Sequence, residues 1–111
     1  MIPVISRYDC LEHDPIDRWV PPDPKDVEIR MTFVIGSTLQ EGDYFEALVV
    51  TPNRVPVKGA RRPMVVVDSF SVDAVQTEMR KLLKSCEGET WAEVSAKLNL
   101  RLIWEFDNYN A

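Results

Sequence analysis

Val27-Glu-Ile-Arg-Met-Thr-Phe-Val-Ile35 places Val27, Ile29, Met31, Phe33 and Ile35 at every second position. Successive side chains of a strand point to opposite faces, so this alternation reads as a strand half-buried on a core. Glu41-Gly42-Asp43 then reads as a turn, and Tyr44 to Thr51 as a second strand rich in β-formers. The two make an antiparallel hairpin with a connection of moderate length, ended by Pro52-Asn53. Upstream, Ile2 to Tyr8 is a short strand. The chain next enters a loop thick with turn residues, Asp14-Pro15 and Val20-Pro21-Pro22-Asp23-Pro24, where closely spaced prolines exclude regular structure. Trp19, just before those prolines, is placed to pin the loop onto the core.

Downstream of the hairpin, Arg54 to Arg62, with Pro56 and Gly59, reads as a surface loop. Met64-Val-Val-Val67 is a continuous apolar run, the mark of a central strand covered on both faces. Ser71 suits a helix N-cap, with Asp73 in the first turn. Val72, Val75, Met79, Leu82 and Cys86 recur at spacings of three and four, one face of a helix, and Arg80, Lys81 and Lys84 sit late, where cations suit the dipole. Gly88 suits the C′ position that ends this helix, where a positive φ is wanted. Thr90 with Glu93 has the pattern of a capping box opening a second helix, Trp91 to about Leu98, with Trp91, Val94 and Leu98 on one face. Arg101 to Phe106 alternates again, with Leu102, Trp104 and Phe106 inward. The order predicts one α+β domain over residues 1–111, a mainly antiparallel sheet of four to five strands with two helices packed on one face.

The chain has 111 residues, enough to bury a core without disulfides or metals. No apolar run approaches the roughly 18 residues of a membrane span, and the N-terminus lacks the basic and apolar regions of a signal peptide. Cys10 and Cys86 read as reduced, buried thiols of a cytoplasmic protein. The net charge is −5, and it is unevenly spread. Residues 1–28 hold seven acids (Asp9, Glu12, Asp14, Asp17, Asp23, Asp26, Glu28) against three bases, a net of −4, while Arg54, Lys58, Arg61 and Arg62 fall in an acid-free stretch, residues 51–67. Residues 86–111 hold five acids against two bases, a net of −3. Acidic ends repel nucleic acid and favour basic proteins, although a mildly acidic surface also serves solubility alone.

Catalysis has little support in these residues. Cys10-x-x-His13 offers two ligands where zinc needs three or four, so no metal site is assigned, and the glycines are too isolated for a phosphate loop. No cofactor is implied. The pairs Asp14/Asp17 and Glu105/Asp107 read as solvated charge rather than as general acid and base. The basic loop lacks the interleaved aromatics of a nucleic-acid module. Trp91 and Trp104 lie on periodic apolar faces and read as core. Trp19 fits core or interface equally, and Tyr109, amid Asp107 and Asn108, reads as an exposed aromatic suited to a basic partner.

Cys86-Glu-Gly-Glu-Thr-Trp-x-Glu-Val-x-x-Lys-Leu, followed by Trp104-Glu-Phe-x-x-Tyr109, resembles the signature of the immunity protein 8 family. Trp19 with its Pro-Pro-Asp, Phe33-Val-Ile-Gly36, and Phe45 through Thr51-Pro52 agree with it. The resemblance implies a small bacterial antitoxin that binds the toxin domain of a polymorphic-toxin system, with no catalysis of its own. Trp19, Gly88, Trp91, Trp104 and Phe106 match the motif and are read as structural. Charge segregation places the partner-binding residues at Glu12, Asp14, Asp17 and Asp23 in the N-terminal loop and at Glu105, Asp107 and Tyr109 near the C-terminus, since acids steer association with a basic toxin. The other readings are an adaptor that loads or scaffolds a secreted effector without neutralising it and, more distantly, a small-ligand binder using the sheet face. No residue pattern in the sequence specifies an oligomeric state.

Overall fold

The strand read from the alternation at Val27–Ile35 runs on to Thr38, eleven residues from Glu28, although the alternation itself gives way to a continuous buried run from Phe33 to Gly36. In order along the chain, the strands are β1 (Val4–Asp9), β2 (Glu28–Thr38), β3 (Glu41–Val50), β4 (Met64–Val66) and β5 (Ile103–Trp104). The helices are α1 (Val72–Ser85) and α2 (Trp91–Asn99), and single 3-10 turns form at Ile16–Arg18 and Pro52–Arg54. The structure, a computed structural model, describes residues 1–56 and 63–104. Lys58, Arg61, Arg62, Glu105, Phe106, Asp107 and Tyr109 lie outside the described residues.

β2 and β3 form the predicted hairpin, in register from Glu28 opposite Val50 to Thr38 opposite Glu41. The connection is tighter than expected. Only Leu39 and Gln40 separate the strands, and a bulge between Ile35 and Thr38 absorbs the twist. Polar residues at the strand ends, which read as a turn, stay in the ladder because their backbone pairing does not depend on a buried side chain.

β1 adds antiparallel to β2, with Ile5 opposite Ile35 and Tyr8 opposite Phe33, and a register shift between Ile5 and Arg7. β3 pairs in parallel with β4 and, nearer its start, antiparallel with β5, where Phe45 faces Trp104. The sheet is therefore mainly antiparallel, with one short parallel pair. The apolar run 64–67 is not a central strand covered on both faces. Among the described residues it ends the sheet, where Val65 turns inward, 5% exposed, while Val66 is 42% exposed. An apolar side chain at the solvent position hid the alternation that would have marked a one-sided strand.

Both helices cover one face. Val75, Met79, Leu82 and Leu83 of α1 and Val94 and Leu98 of α2 share one buried cluster with Met31, Phe33, Ile35, Phe45, Ala47 and Val49. Cys10 and Cys86 belong to the same cluster as free thiols. Ser71 caps α1 by accepting the Ala74 N–H at 3.0 Å, and Thr90 caps α2 by accepting the Glu93 N–H at 3.2 Å. The return half of the capping box is shifted by one residue: Glu93 accepts from the N–H of Glu89, at 3.0 Å, rather than from Thr90.

Gly88 differs from its expected role. Cys86 is the C-cap of α1, and Gly88, two residues on, has no positive φ. Glycine suits the position because the start of α2 packs closely on it: a Cβ would stand 3.0 Å from Glu93 Cβ and 3.1 Å from its Oε2. Its N–H donates to the Met1 carbonyl at 3.0 Å, which ties the chain start to the link between the helices. No helix among the described residues is long and apolar enough to cross a membrane.

Candidate partner-binding site

The acidic loop, residues 10–27, leaves β1 at the buried Cys10 and returns at the buried Val27. Proline-rich sequence cannot hold itself by a regular ladder, so side chains hold it. Ile16 is the loop's anchor, 3% exposed, within the single 3-10 turn. The peptide before it, Asp14–Pro15, is cis. Trp19 is half-buried between two rings: His13 stacks on it at 3.8 Å, and Phe70 meets it edge-on at 5.2 Å. Phe70 also donates its N–H to the Pro24 carbonyl at 2.7 Å, fixing the far limb of the loop.

The loop's return is closed by a polar chain. Thr51, fully buried, accepts the Val27 N–H at 2.9 Å and donates to Asn53 Oδ1 at 2.5 Å. Asn53 donates to Asp26 Oδ1 at 2.8 Å, and Arg54 Nε reaches the same oxygen at 2.6 Å. The hydrogen bonds from Arg54 and then Asn53 hold the Asp26 carboxyl below its ordinary value, and Asp26 in turn raises Arg54. Arg54, the first base of the predicted basic loop, is thus spent on closing the acidic one.

Of the four loop acids assigned to the partner, three have internal partners. Glu12 accepts the backbone N–H of Arg30 at 3.2 Å, beside the point where β1 stops pairing with β2. Asp17 accepts the Tyr8 hydroxyl at 2.6 Å. Asp23 accepts the N–H of Lys25 at 2.9 Å, an Asx-turn. Asp14 makes no hydrogen bond or ion pair among the described residues. The hydrogen bond to Asp17 comes first in holding the Tyr8 phenol above its ordinary value, followed by loss of hydration and by the Asp17 charge; a contact with Gln76 works the other way.

The loop packs against the start of α1 and leaves an open hollow of about 450 Å³. Trp19, Val20, Pro21 and Phe70 give it apolar walls, and Asp17 and Asp73 stand at its rim. Val20 is 83% exposed. The combination is an aromatic-walled hollow edged by carboxylates, which suits the stem and charged head of a basic side chain. His13 is stacked on Trp19 and Cys10 is buried in the core, and among the described residues no three His, Cys, Asp or Glu side chains cluster to hold an ion.

Trp91 and Trp104 are partly buried against the core. Trp104 also donates its indole N–H to Asp43 at 3.2 Å, joining β5 to the hairpin. A family model of immunity protein 8 matches residues 4–109 of this sequence. The chain belongs to the immunity protein 8 family. Membership implies toxin neutralisation, and its members are typically binders rather than enzymes. No curated protein and no solved structure matches the chain. The acidic loop is held by buried anchors and by its own acids, while its charge and the Trp19 hollow face outward. Sequence reasoning placed the acids here, but not Asp73 or the hollow, because these are brought alongside the loop only by the packing of α1.

Proposed function

We propose that this chain acts in the cytoplasm of the producing cell as a single immunity domain. It neutralises a cognate toxin domain by stoichiometric binding, using its acidic N-terminal loop against a basic surface of that toxin. The observation that carries the reading is the conjunction of family membership with a pinned, acid-rich loop beside an aromatic hollow. A rigid loop loses little conformational freedom on binding, which favours the low dissociation that a lethal partner demands. Nuclease–immunity pairs reach about 10⁻¹³ M or tighter. The two free, buried cysteines agree with a reducing compartment.

The test is co-expression with the toxin domain encoded beside this gene. Cells should survive toxin induction only when this protein is made, and the two chains should co-purify in a fixed ratio. Survival without it, with the toxin shown to be active, would end the reading. Survival with it but no complex would point to an indirect role such as effector loading.

A further inference from the structure

α1 does not close fully against the sheet along β1. A cleft of about 280 Å³ opens between them. Its floor is apolar, built by Phe33, Val75 and Leu83, and its rim carries Arg7, Gln76 and Arg80. Among the described residues no carboxylate lines it, although the chain as a whole has a net charge of −5. Arg7 is already engaged across the open sheet face, donating to the Tyr44 hydroxyl at 2.6 Å. Arg80 is exposed and has a single weak contact among the described residues, to Gln76 at 3.5 Å. The cleft therefore offers an apolar socket with a cation at its mouth.

The cleft also runs beside a sheet edge. Among the described residues β1 pairs only with β2, so alternate peptide groups along its other side have no strand partner there. The register shift at Ser6 divides that edge into two short halves. A broken edge does not template a long ladder, which limits unselective strand addition. Selection then falls to the side chains that enter the cleft.

We propose that this cleft receives an apolar side chain of the toxin, carried on an extended segment laid beside β1, with a carboxylate two residues away meeting Arg80. Residues two apart on an extended chain face the same side, so one segment presents both groups to the cleft. A buried anchor filling a pocket and ringed by polar contacts is the usual centre of an interface. The proposal rests on the antitoxin reading for the identity of the partner, but not for the chemistry of the cleft.

That chemistry is tested on the full chain with two blocked peptides, acetyl-Thr-Phe-Thr-Asp-Thr-amide and its counterpart with Lys in place of Asp, followed by two-dimensional NMR. The acidic peptide should shift signals of Ile5, Val75 and Leu83 saturably and bind about tenfold more tightly than the basic one, and Arg80→Glu should reverse the order. The absence of saturable shifts at the cleft, or a preference that Arg80→Glu leaves unchanged, would overturn it. Gln76→Trp, which plugs the cleft from an accessible position, should in turn weaken protection in co-expression at least about tenfold in toxin dose. Failure of the wild type to protect would count against the antitoxin reading alone. Full protection by a folded Gln76→Trp protein would count against the cleft. If that variant does not fold, the peptide comparison on the wild type and Arg80→Glu decides.

Discussion

A methyl group on residue 36 would sit 1.8 Å from the carbonyl oxygen of Glu41 and 2.8 Å from Gly42 Cα. Both neighbours are backbone of the paired strand, so nothing can swing aside. Gly36→Ala is expected to cost about 1–3 kcal/mol by forcing β2 and β3 apart where they meet. A urea unfolding curve should show a lower midpoint at unchanged slope. Gly88→Ala should cost less, because there the nearest atoms, Glu93 Cβ at 3.0 Å and Oε2 at 3.1 Å, stand much farther off than the backbone that Gly36 meets. A second residue-scale prediction concerns Tyr8. Its phenol is held above the ordinary value chiefly by donating to Asp17. A raised native value means that the stability this contact gives is complete below the ordinary phenol value of about 10 and fades as pH rises through the native one. Asp17→Ala should bring the Tyr8 ionisation midpoint down, read by NMR of the ring, and should flatten the alkaline loss of stability. That Asp17 shapes the loop was not legible in the sequence. Tyr8 and Asp17 are nine residues apart, and Glu12 and the N–H it accepts at Arg30 are eighteen apart, so only the folded chain pairs them.

Among elements, legibility followed how many independent signals agreed. β2 announced itself through five alternating apolar residues, and all five are buried. α1 and α2 carried both periodicity and caps. Ser71 and Thr90 each accept an N–H of the first turn that would otherwise be unpaired. Ser71→Ala and Thr90→Ala should each lower stability by about 1 kcal/mol. The two caps serve different helices, so the double variant should lose about the sum. Thermal unfolding of the single and double variants checks both statements. β4 carried only its composition, and composition misplaced it. A three-residue strand is too short to show a period, and exposed Val66 looks the same in sequence as a buried valine. The hairpin's connection is shorter than its sequence suggests for a related reason: the last pairs, Ile35 with Asp43 and Thr38 with Glu41, are polar on the β3 side and so resemble a loop. Pairing partners in a sheet are chosen by the whole strand, whereas turn signals are read residue by residue.

At the scale of the whole molecule, the sheet has one face covered by helices, and the loop and β1 border that cover on one side. The Trp19 hollow, with Asp17 and Asp73, and the cleft with Arg80 both include Val72 in their walls. They form neighbouring stations along the flank of α1, acidic toward its start and basic toward its later turns. This polarity would orient an approaching partner as well as attract it. The surface ion pairs Arg30 with Glu46 at 2.8 Å and Lys81 with Glu78 at 3.2 Å are at least partly exposed and add little to stability. The consequence is kinetic. Association with a basic toxin surface should slow markedly as ionic strength rises past the point where the Debye length falls to about 10 Å, while dissociation should change little. Asp14→Lys reverses a charge without breaking any bond made among the described residues, and Asp23→Asn removes a charge while keeping the oxygen that accepts the Lys25 N–H. Each should lower the association rate and flatten its salt dependence, with circular dichroism unchanged and the dissociation rate nearly constant. Stopped-flow association with the toxin domain measures this directly. If both variants kept the wild-type salt dependence, the acidic loop would be serving solubility, and the interface would have to be sought away from residues 10–27.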